Sequence, residues 1–198
     1  MIPCDPRTLP GIYTSDMTNA VIAAIDDIAI QRAKAGDINA LERVYRAYEG
    51  MVYSMARRIC PSPEDAEDVL QETFLEVCRS MGAFRGSGDG SLTAWIKRLA
   101  ASKALMKIRR GKYRQTEELF EDAAPAANQG DASLRMDLET VMQRLSSTAR
   151  AVVWLHDVEG YTHEDIAELM GKSVSFSKSQ LSRAHARLRK WLGEEAVC

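Results

Sequence analysis

Six carboxylates lie close together in the segment 64–76, and acid–base catalysis or a divalent cation can use such a cluster. They are Glu64, Asp65, Glu67, Asp68, Glu72 and Glu76. No histidine stands near them, and they fall on the exposed side of a predicted helix. A solvated face, or a docking surface for a basic partner, is therefore a simpler interpretation than an enzyme active site.

The histidines and cysteines do not follow a metal-binding pattern. They are His156, His163 and His185, with Cys4, Cys60, Cys78 and Cys198, and no CxxC pair occurs. We therefore predict no metal, no cofactor and no catalytic residue. Cys60 and Cys78 stand among apolar helical residues and are predicted to pack in a core. His163 and His185 are predicted to be exposed helix residues, and His156 to be structural.

The segment 161–174 has the features of a helix-turn-helix. Thr162 is a typical N-cap for a short helix, and Gly171 permits the tight turn that follows. The inward-facing residues of the two helices are predicted to be Ile166, Ala167, Leu169, Val174, Leu181, Ala184 and Leu188. The side chains left to face a DNA groove are then Ser175, Ser177, Lys178, Ser179, Gln180, Ser182, Arg183 and Arg187.

Basic residues are concentrated in two segments, although the net charge of the chain is -2. Segment 95–114 has eight basic residues and segment 172–192 has six, and neither contains an acidic residue. Such segregation predicts two separate anion-binding surfaces and at least one surface for a basic partner. Trp95 beside the first basic segment suits stacking on single-stranded bases, while core packing is the alternative for its ring.

The elements that position these residues are all predicted to be helices. Apolar steps of three and four predict a helix over 41–59, a second that Ser62 caps, and a third from Leu92 to Lys112 with Ser91 as N-cap. Four shorter helices are predicted at 135–145, 147–157, 163–170 and 175–192. The fold class is all-α, with a tail (1–20), a first domain (21–113), a flexible linker (114–137) and a second domain (138–193). No apolar run is long enough for a membrane helix, and we expect a cytoplasmic protein.

The chain resembles the extracytoplasmic-function (ECF) sigma factors of the sigma-70 family. The run from Gly36 to Arg110 is similar to region 2, a bundle of three or four helices, and its segment from Ala66 to Phe74 matches the part that docks on the polymerase clamp. The run from Leu145 to Leu192 is similar to region 4, with Lys178 to Ala184 matching the recognition helix.

The resemblance implies a non-enzymatic factor that binds core RNA polymerase, through its clamp helices and flap, and promoter DNA. The implied polymerase-binding residues are Asp65, Glu67, Asp68, Gln71, Glu72 and Phe74. The implied -10 element residues are Phe84, Arg85, Ser91, Trp95, Lys97, Arg98, Ser102, Lys103, Lys107, Arg109 and Arg110, around a pocket for a flipped base. The implied -35 element residues are Thr162 and the eight groove-facing side chains from Ser175 to Arg187. A regulatory partner such as an anti-sigma factor is also implied, with no membrane insertion and no small-molecule substrate.

The chain departs from the family pattern at several positions. Ser102 and Met106 replace a usual Asn and Asp, Ser147 replaces a Pro, and Phe176-Ser177 with Gln180 replace Thr-Val and Arg. The departures at Ser102, Met106 and Gln180 keep open a sigma-like adaptor that does not initiate transcription. Two separate alternatives are a stand-alone helix-turn-helix regulator and an enzyme that uses the 64–76 carboxylates.

Overall fold

The computed structural model describes residues 25–115 and 138–194, and every regular element in these two segments is a helix. In the first segment α1 spans Asp27–Lys34, α2 Ile38–Ile59, α3 Pro63–Ser80 and α4 Gly88–Gln115. In the second, α5 spans Leu138–Gln143, α6 Ser147–Val153, α7 His163–Met170 and α8 Val174–Glu194. The all-α prediction is confirmed. The predicted tail, nearly all of the predicted linker, Cys4 and Cys198 lie outside the described residues.

Capping residues determine where the helices of the first segment begin. The Asp37 carboxylate accepts from the Asn39 amide at 2.9 Å and so caps α2, and the Ser62 hydroxyl accepts from the Asp65 amide at 3.1 Å, as predicted for α3. The prediction that Ser91 caps α4 is wrong. This helix begins at Gly88, four residues before the predicted Leu92, and the Gly88 amide donates to the Asp27 carboxylate of α1 at 2.9 Å.

The core of the N-terminal bundle, α1 to α4, is formed by the apolar sides of α2, α3 and α4. Its most deeply buried side chains include Val44, Tyr48, Val52, Ile59, Val69, Leu92 and Ile96. The Tyr48 hydroxyl lies 3.0 Å from Thr93 Oγ1, so its polar end is satisfied inside the bundle. Cys60 is buried as predicted, but the prediction for Cys78 is wrong, because this residue follows Val77 on the outward side of α3 and is exposed.

The apolar core continues into the C-terminal bundle, α5 to α8. Its buried side chains there include Val141, Leu145, Val152, Leu155, Ile166, Leu181, Ala184 and Leu188. A π-helical turn, Trp154–Val158, continues α6 and leads into the loop before α7. Among the described helices, none combines the length and the apolar character needed to cross a membrane.

Leu92→Ala is expected to destabilise the chain by about 2–5 kcal/mol, because Leu92 is 0% exposed and its truncation leaves a cavity at the start of α4. Leu75→Ala is the matched control, since Leu75 is 55% exposed on α3. Urea unfolding followed by circular dichroism at 222 nm measures both. Equal midpoints for the two variants would contradict the assignment of Leu92 to the core.

Candidate nucleic-acid interface

A capping box at the start of α7 begins the helix-turn-helix. The Asp165 amide donates to Thr162 Oγ1 at 3.1 Å, and the Thr162 amide donates to Asp165 Oδ2 at 3.2 Å. The Thr162 hydroxyl also donates to Asp165 Oδ2 at 2.6 Å, and this bond, followed by the one from the Thr162 amide, holds the pKa of Asp165 below its usual value. At the other end Gly171 adopts a φ of +61°, a left-handed conformation that suits glycine, and the chain turns into α8.

The outward side of α8 presents most of the predicted groove-facing residues. Ser175, Lys178, Ser179, Ser182, Arg183 and Arg187 are exposed, and Gln180 is half-buried. Thr162 is exposed too, but its hydroxyl is occupied by the capping box. The structure therefore brings together a surface of short hydroxyls and long cations, the side chains that reach base edges and phosphates.

The prediction that Ser177 faces a DNA groove is wrong, because its side chain is 0% exposed and faces the interior. It stands four residues before Leu181 and joins Ala184 and Leu188 in the buried stripe, whereas Val174 is only half-buried. Its hydroxyl lies 3.0 Å from Nδ1 of His163 on α7. Ser177 thus binds the two helices of the motif together and does not face a groove.

All three histidines take part in one cluster that links the π-helical turn, α7 and α8. The rings of His156 and His163 stack with centroids 4.5 Å apart, and the Asp157 carboxylate accepts from His156 Nδ1 at 2.8 Å and His185 Nε2 at 2.6 Å. Burial works against ionisation of Asp157, but these two hydrogen bonds leave its pKa below the usual value. His163 and His185 lie on helices, as predicted, and both are half-buried. No set of side chains in the described segments has metal-binding geometry.

The basic side of α4 faces the acidic side of α3. Lys107 Nζ lies 3.2 Å from Asp65 Oδ1 and 2.5 Å from Asp68 Oδ2, and the hydrogen bond to Asp68 is the main reason that the pKa of Lys107 is raised. The two neighbouring ion pairs are Lys103–Glu76 at 3.2 Å and Arg110–Glu72 at 3.6 Å. The carboxylates predicted to bind polymerase are therefore in large part the partners of the cations predicted to bind DNA.

The exposed side chains of α3 include residues that are not acidic. Gln71 is exposed, and so is Leu75, which the sequence analysis did not select. Phe74 is buried against the ring of Tyr45, with centroids 4.7 Å apart. An exposed leucine beside a polar helix face is a weak signal in a sequence, because burial cannot be assigned until the neighbouring helices are placed.

The loop before α4 is held by residues of α1 that the sequence analysis missed. Lys34 Nζ donates to the Gly86 carbonyl at 3.3 Å and lies 5.1 Å from the centroid of the Phe84 ring. The Phe84 ring packs on Trp95 with centroids 5.0 Å apart and is itself buried. Phe84 thus supports the loop from beneath, and its contact with DNA stays a prediction. Arg85 and Ser91 are exposed at the loop surface, and Ser102 is half-buried.

Three further cations of α4 contact the C-terminal bundle. Lys97 Nζ lies 2.8 Å from Glu159 Oε2, and Arg98 lies 2.8 Å from Glu168 Oε2 and 3.5 Å from Asp165 Oδ1. Arg109 donates to the carbonyl of Met170, at the C-terminal end of α7, at 2.8 Å. The predicted -10 surface therefore lies against the first helix of the helix-turn-helix.

Family models match both parts of the chain. The sigma-70 region 2 model matches residues 44–114, and the sigma-70 region 4 model matches residues 135–188. The ECF RNA polymerase sigma factor SigM of Mycobacterium tuberculosis is 32% identical over 160 residues, which cover 80% of this chain and 80% of SigM. The RNA polymerase sigma factor CarQ of Myxococcus xanthus is 30% identical over 169 residues, which cover 83% of this chain and 96% of CarQ.

Solved structures share the fold. The sigma factor RpoE of Bartonella quintana, in complex with the anti-sigma factor NepR, matches with a TM-score of 0.52 and 22% identity over 79% of this chain and 98% of RpoE. CnrH, in complex with the cytosolic domain of CnrY, matches with a TM-score of 0.51 and 19% identity over 85% of this chain and 97% of CnrH.

Gly86→Ala is expected to destabilise the chain by about 1–3 kcal/mol, as overpacking does elsewhere. The added methyl carbon would lie 2.5 Å from Phe84 Cζ and 2.7 Å from Ser91 Cβ, so the ring or the loop must shift. Gly90→Ala is the control, because its methyl group meets no atom within 4 Å and alanine favours the helix. Thermal unfolding measures both, and a Gly86→Ala chain as stable as the control would refute this tight packing.

Acidification from pH 7.5 to 5.5 is expected to lower the melting temperature, and His163→Gln is expected to reduce that loss. Burial, and then the charge of His156, lower the pKa of His163 below 6.5. The unfolded chain therefore binds the proton first, and stability falls as the pH drops through about 6.5. The other charged groups that act on His163 are Lys178, Glu164 and Asp157. Calorimetry at both pH values gives the decrease in melting temperature for the wild-type and the His163→Gln chain. Equal decreases would contradict this role of His163.

Proposed function

Because the chain belongs to the ECF class of the sigma-70 family, we propose that it directs core RNA polymerase to specific promoters, with α8 reading the -35 element and the α4 region opening the -10 element. Transcription initiation is the function of this family, whose members are transcription factors and not enzymes. The promoters that it selects, and the residues that select them, are part of the proposal.

The observation that carries the proposal is the exposed cationic side of α8. Lys178, Arg183 and Arg187 stand out from a helix that the capping box, the Gly171 turn and the buried stripe hold in a helix-turn-helix. In this motif the second helix enters the major groove and its outward side chains contact base edges and phosphates. A duplex -35 element suits such a surface, because it presents an unmelted major groove.

The role of the N-terminal bundle rests on a different kind of surface. Lys97, Arg98 and Arg109 project from α4, the helix that follows the loop at Arg85, and cations along a helix suit the backbone of a separated strand. For polymerase binding, α3 offers Gln71 and Leu75 at its surface and the acidic cluster beside them. We propose that the polymerase clamp contacts this side of α3, and that the flap contacts the C-terminal bundle.

Relatives of known structure add a further expectation. RpoE of Bartonella quintana was solved with an anti-sigma factor, and CnrH with the cytosolic domain of CnrY. We propose that a regulatory protein of this kind binds the present chain as well. Co-purification with a partner from the host, followed by identification of that partner, tests this expectation.

Run-off transcription with core polymerase and fragmented host DNA tests the proposed function. Transcript starts that share upstream motifs near -35 and -10 are expected. Absence of starts with a folded chain would refute initiation, and core-polymerase binding then separates two alternatives. An adaptor binds polymerase without initiating, whereas a stand-alone regulator binds duplex DNA tightly without polymerase.

Arg183→Ala is expected to reduce transcription from the mapped promoters by about tenfold or more while core-polymerase binding is unchanged. One base or phosphate contact is worth about 1–3 kcal/mol, and Arg183 is exposed on α8. Arg46→Ala is the control, since Arg46 is exposed on α2, where it pairs with Glu42 of the same helix at 2.7 Å, and lies outside the proposed DNA and polymerase surfaces. Equal transcription from both variants would remove Arg183 from the -35 surface.

A further inference from the structure

We infer that Lys34 and Asp27 of α1 help to select the bases of the -10 element, by holding the loop 84–87 in the position from which it contacts an opened strand. This inference rests on the proposed function, because it takes the loop at Arg85 as part of the -10 surface. Neither α1 residue needs to touch DNA in this role. Both are positioning residues that act through the backbone at the start of α4.

The two anchors are hydrogen bonds between α1 and the backbone of this region. Lys34 Nζ donates to the Gly86 carbonyl at 3.3 Å, and the Gly88 amide donates to Asp27 Oδ1 at 2.9 Å. The anchored residues stand on either side of Ser87, and both side chains that hold them come from one short helix. Fixing the backbone at two points so close together removes most of its freedom, because each residue has only two soft dihedral angles.

The Lys34 ammonium makes a second contact in the same place, with the ring beneath the loop. It lies 5.1 Å from the centroid of the Phe84 ring, which is buried and packs on Trp95 with centroids 5.0 Å apart. A cation over an aromatic face is attracted by the negative charge of that face. Lys34 therefore holds both the ring and the carbonyl that follows it two residues later.

The backbone at the anchored residues is unusual in itself. A methyl group at position 86 would lie 2.5 Å from Phe84 Cζ and 2.7 Å from Ser91 Cβ, so the chain passes directly over the ring. Gly88 adopts a φ of +75°, a left-handed conformation that favours glycine. The loop is thus tightly packed at Gly86 and turns sharply at Gly88, and the contacts with α1 fall at these two residues.

Two hydrogen-bond donors are exposed beside the anchors. The side chains of Arg85 and Ser87 flank Gly86, and both face solvent. A guanidinium and a hydroxyl can donate to the edge of an unstacked base, and the four bases differ in the acceptors that they present. Discrimination between bases requires donors in fixed positions, because a mobile donor can follow whichever acceptor is present. The anchors of α1 supply this fixed position.

The same contacts could instead only stabilise the N-terminal bundle. A purely structural contact, when lost, lowers the stability of the chain and its total transcription, but it changes no preference between bases. A positioning contact changes the preference at the bases that the loop meets. The ratio of transcription from different -10 sequences therefore separates the two roles.

The test measures run-off transcription from one mapped promoter in which each -35 and -10 position is changed in turn to the other three bases. Lys34→Met removes the donor and the cation but keeps a long side chain. It is expected to reduce the preference for the best base by about fivefold at one or more -10 positions, with -35 preferences unchanged. Arg32→Met is the matched control, because it removes a cation of α1 that pairs with Asp37. Equal -10 preferences in the two variants would overturn the inference, and so would an equal loss at -35 positions.

Asp27 provides a second pair of variants, which tests the other anchor independently. Asp27→Ala removes the acceptor of the Gly88 amide, whereas Asp27→Asn keeps an acceptor oxygen. Hydrogen exchange followed by NMR should show the Gly88 amide exchanging about fivefold faster in the alanine variant than in the asparagine variant. The -10 preferences should also fall in the alanine variant alone. Equal exchange rates, or equal preferences, would contradict the role of this anchor.

Failure of the proposed function would give a different result from failure of this inference. A wild-type chain that does not initiate transcription gives no starts at all. If only the inference fails, wild-type transcription is intact and Lys34→Met keeps the same -10 preferences as Arg32→Met. The exchange of the Gly88 amide can be measured in either case, because that experiment needs neither polymerase nor DNA.

Discussion

The cations of α4 lie against anionic groups on two sides, and these contacts connect α4 both to α3 and to the C-terminal bundle. A long basic helix in a compact bundle repels itself unless anions lie along it. On one side the carboxylates of α3 supply those anions, with Lys107 between Asp65 and Asp68. On the other side the helix-turn-helix supplies them, with Glu168 against Arg98. The charge of α4 thus links the packing of its own bundle to the position of the second.

The ion pairs between α4 and α3 and those between α4 and the C-terminal bundle lie in different surroundings. The pairs with α3 lie between helices that also share an apolar core, in which Val69 and Ile96 are fully or almost fully buried. Breaking them without unfolding the bundle would leave cations and carboxylates close together but unsatisfied. At the interface with the C-terminal bundle, Arg150 is itself only partly satisfied, because its buried Nε has no hydrogen-bond partner in the described structure.

Local features of the chain were predicted well from sequence because their causes are local. The N-cap at Thr162, the turn at Gly171 and the apolar steps of α3 depend on residues within one or two turns of each other. The burial of Ser177 could not be predicted from such local features. A serine among other serines indicates an exposed polar face, and only the position of His163 on the neighbouring helix explains why this hydroxyl is buried.

Charge gave the least reliable guide to the candidate site. The acidic and basic segments were interpreted as surfaces for separate partners, since a sequence reports the charge of each helix but not which helix it faces. In the structure, Lys103 pairs with Glu76 and Arg110 with Glu72, so both segments meet within one bundle. The same limit hid the role of α1, whose Lys34 holds the Gly86 loop across 52 positions of sequence.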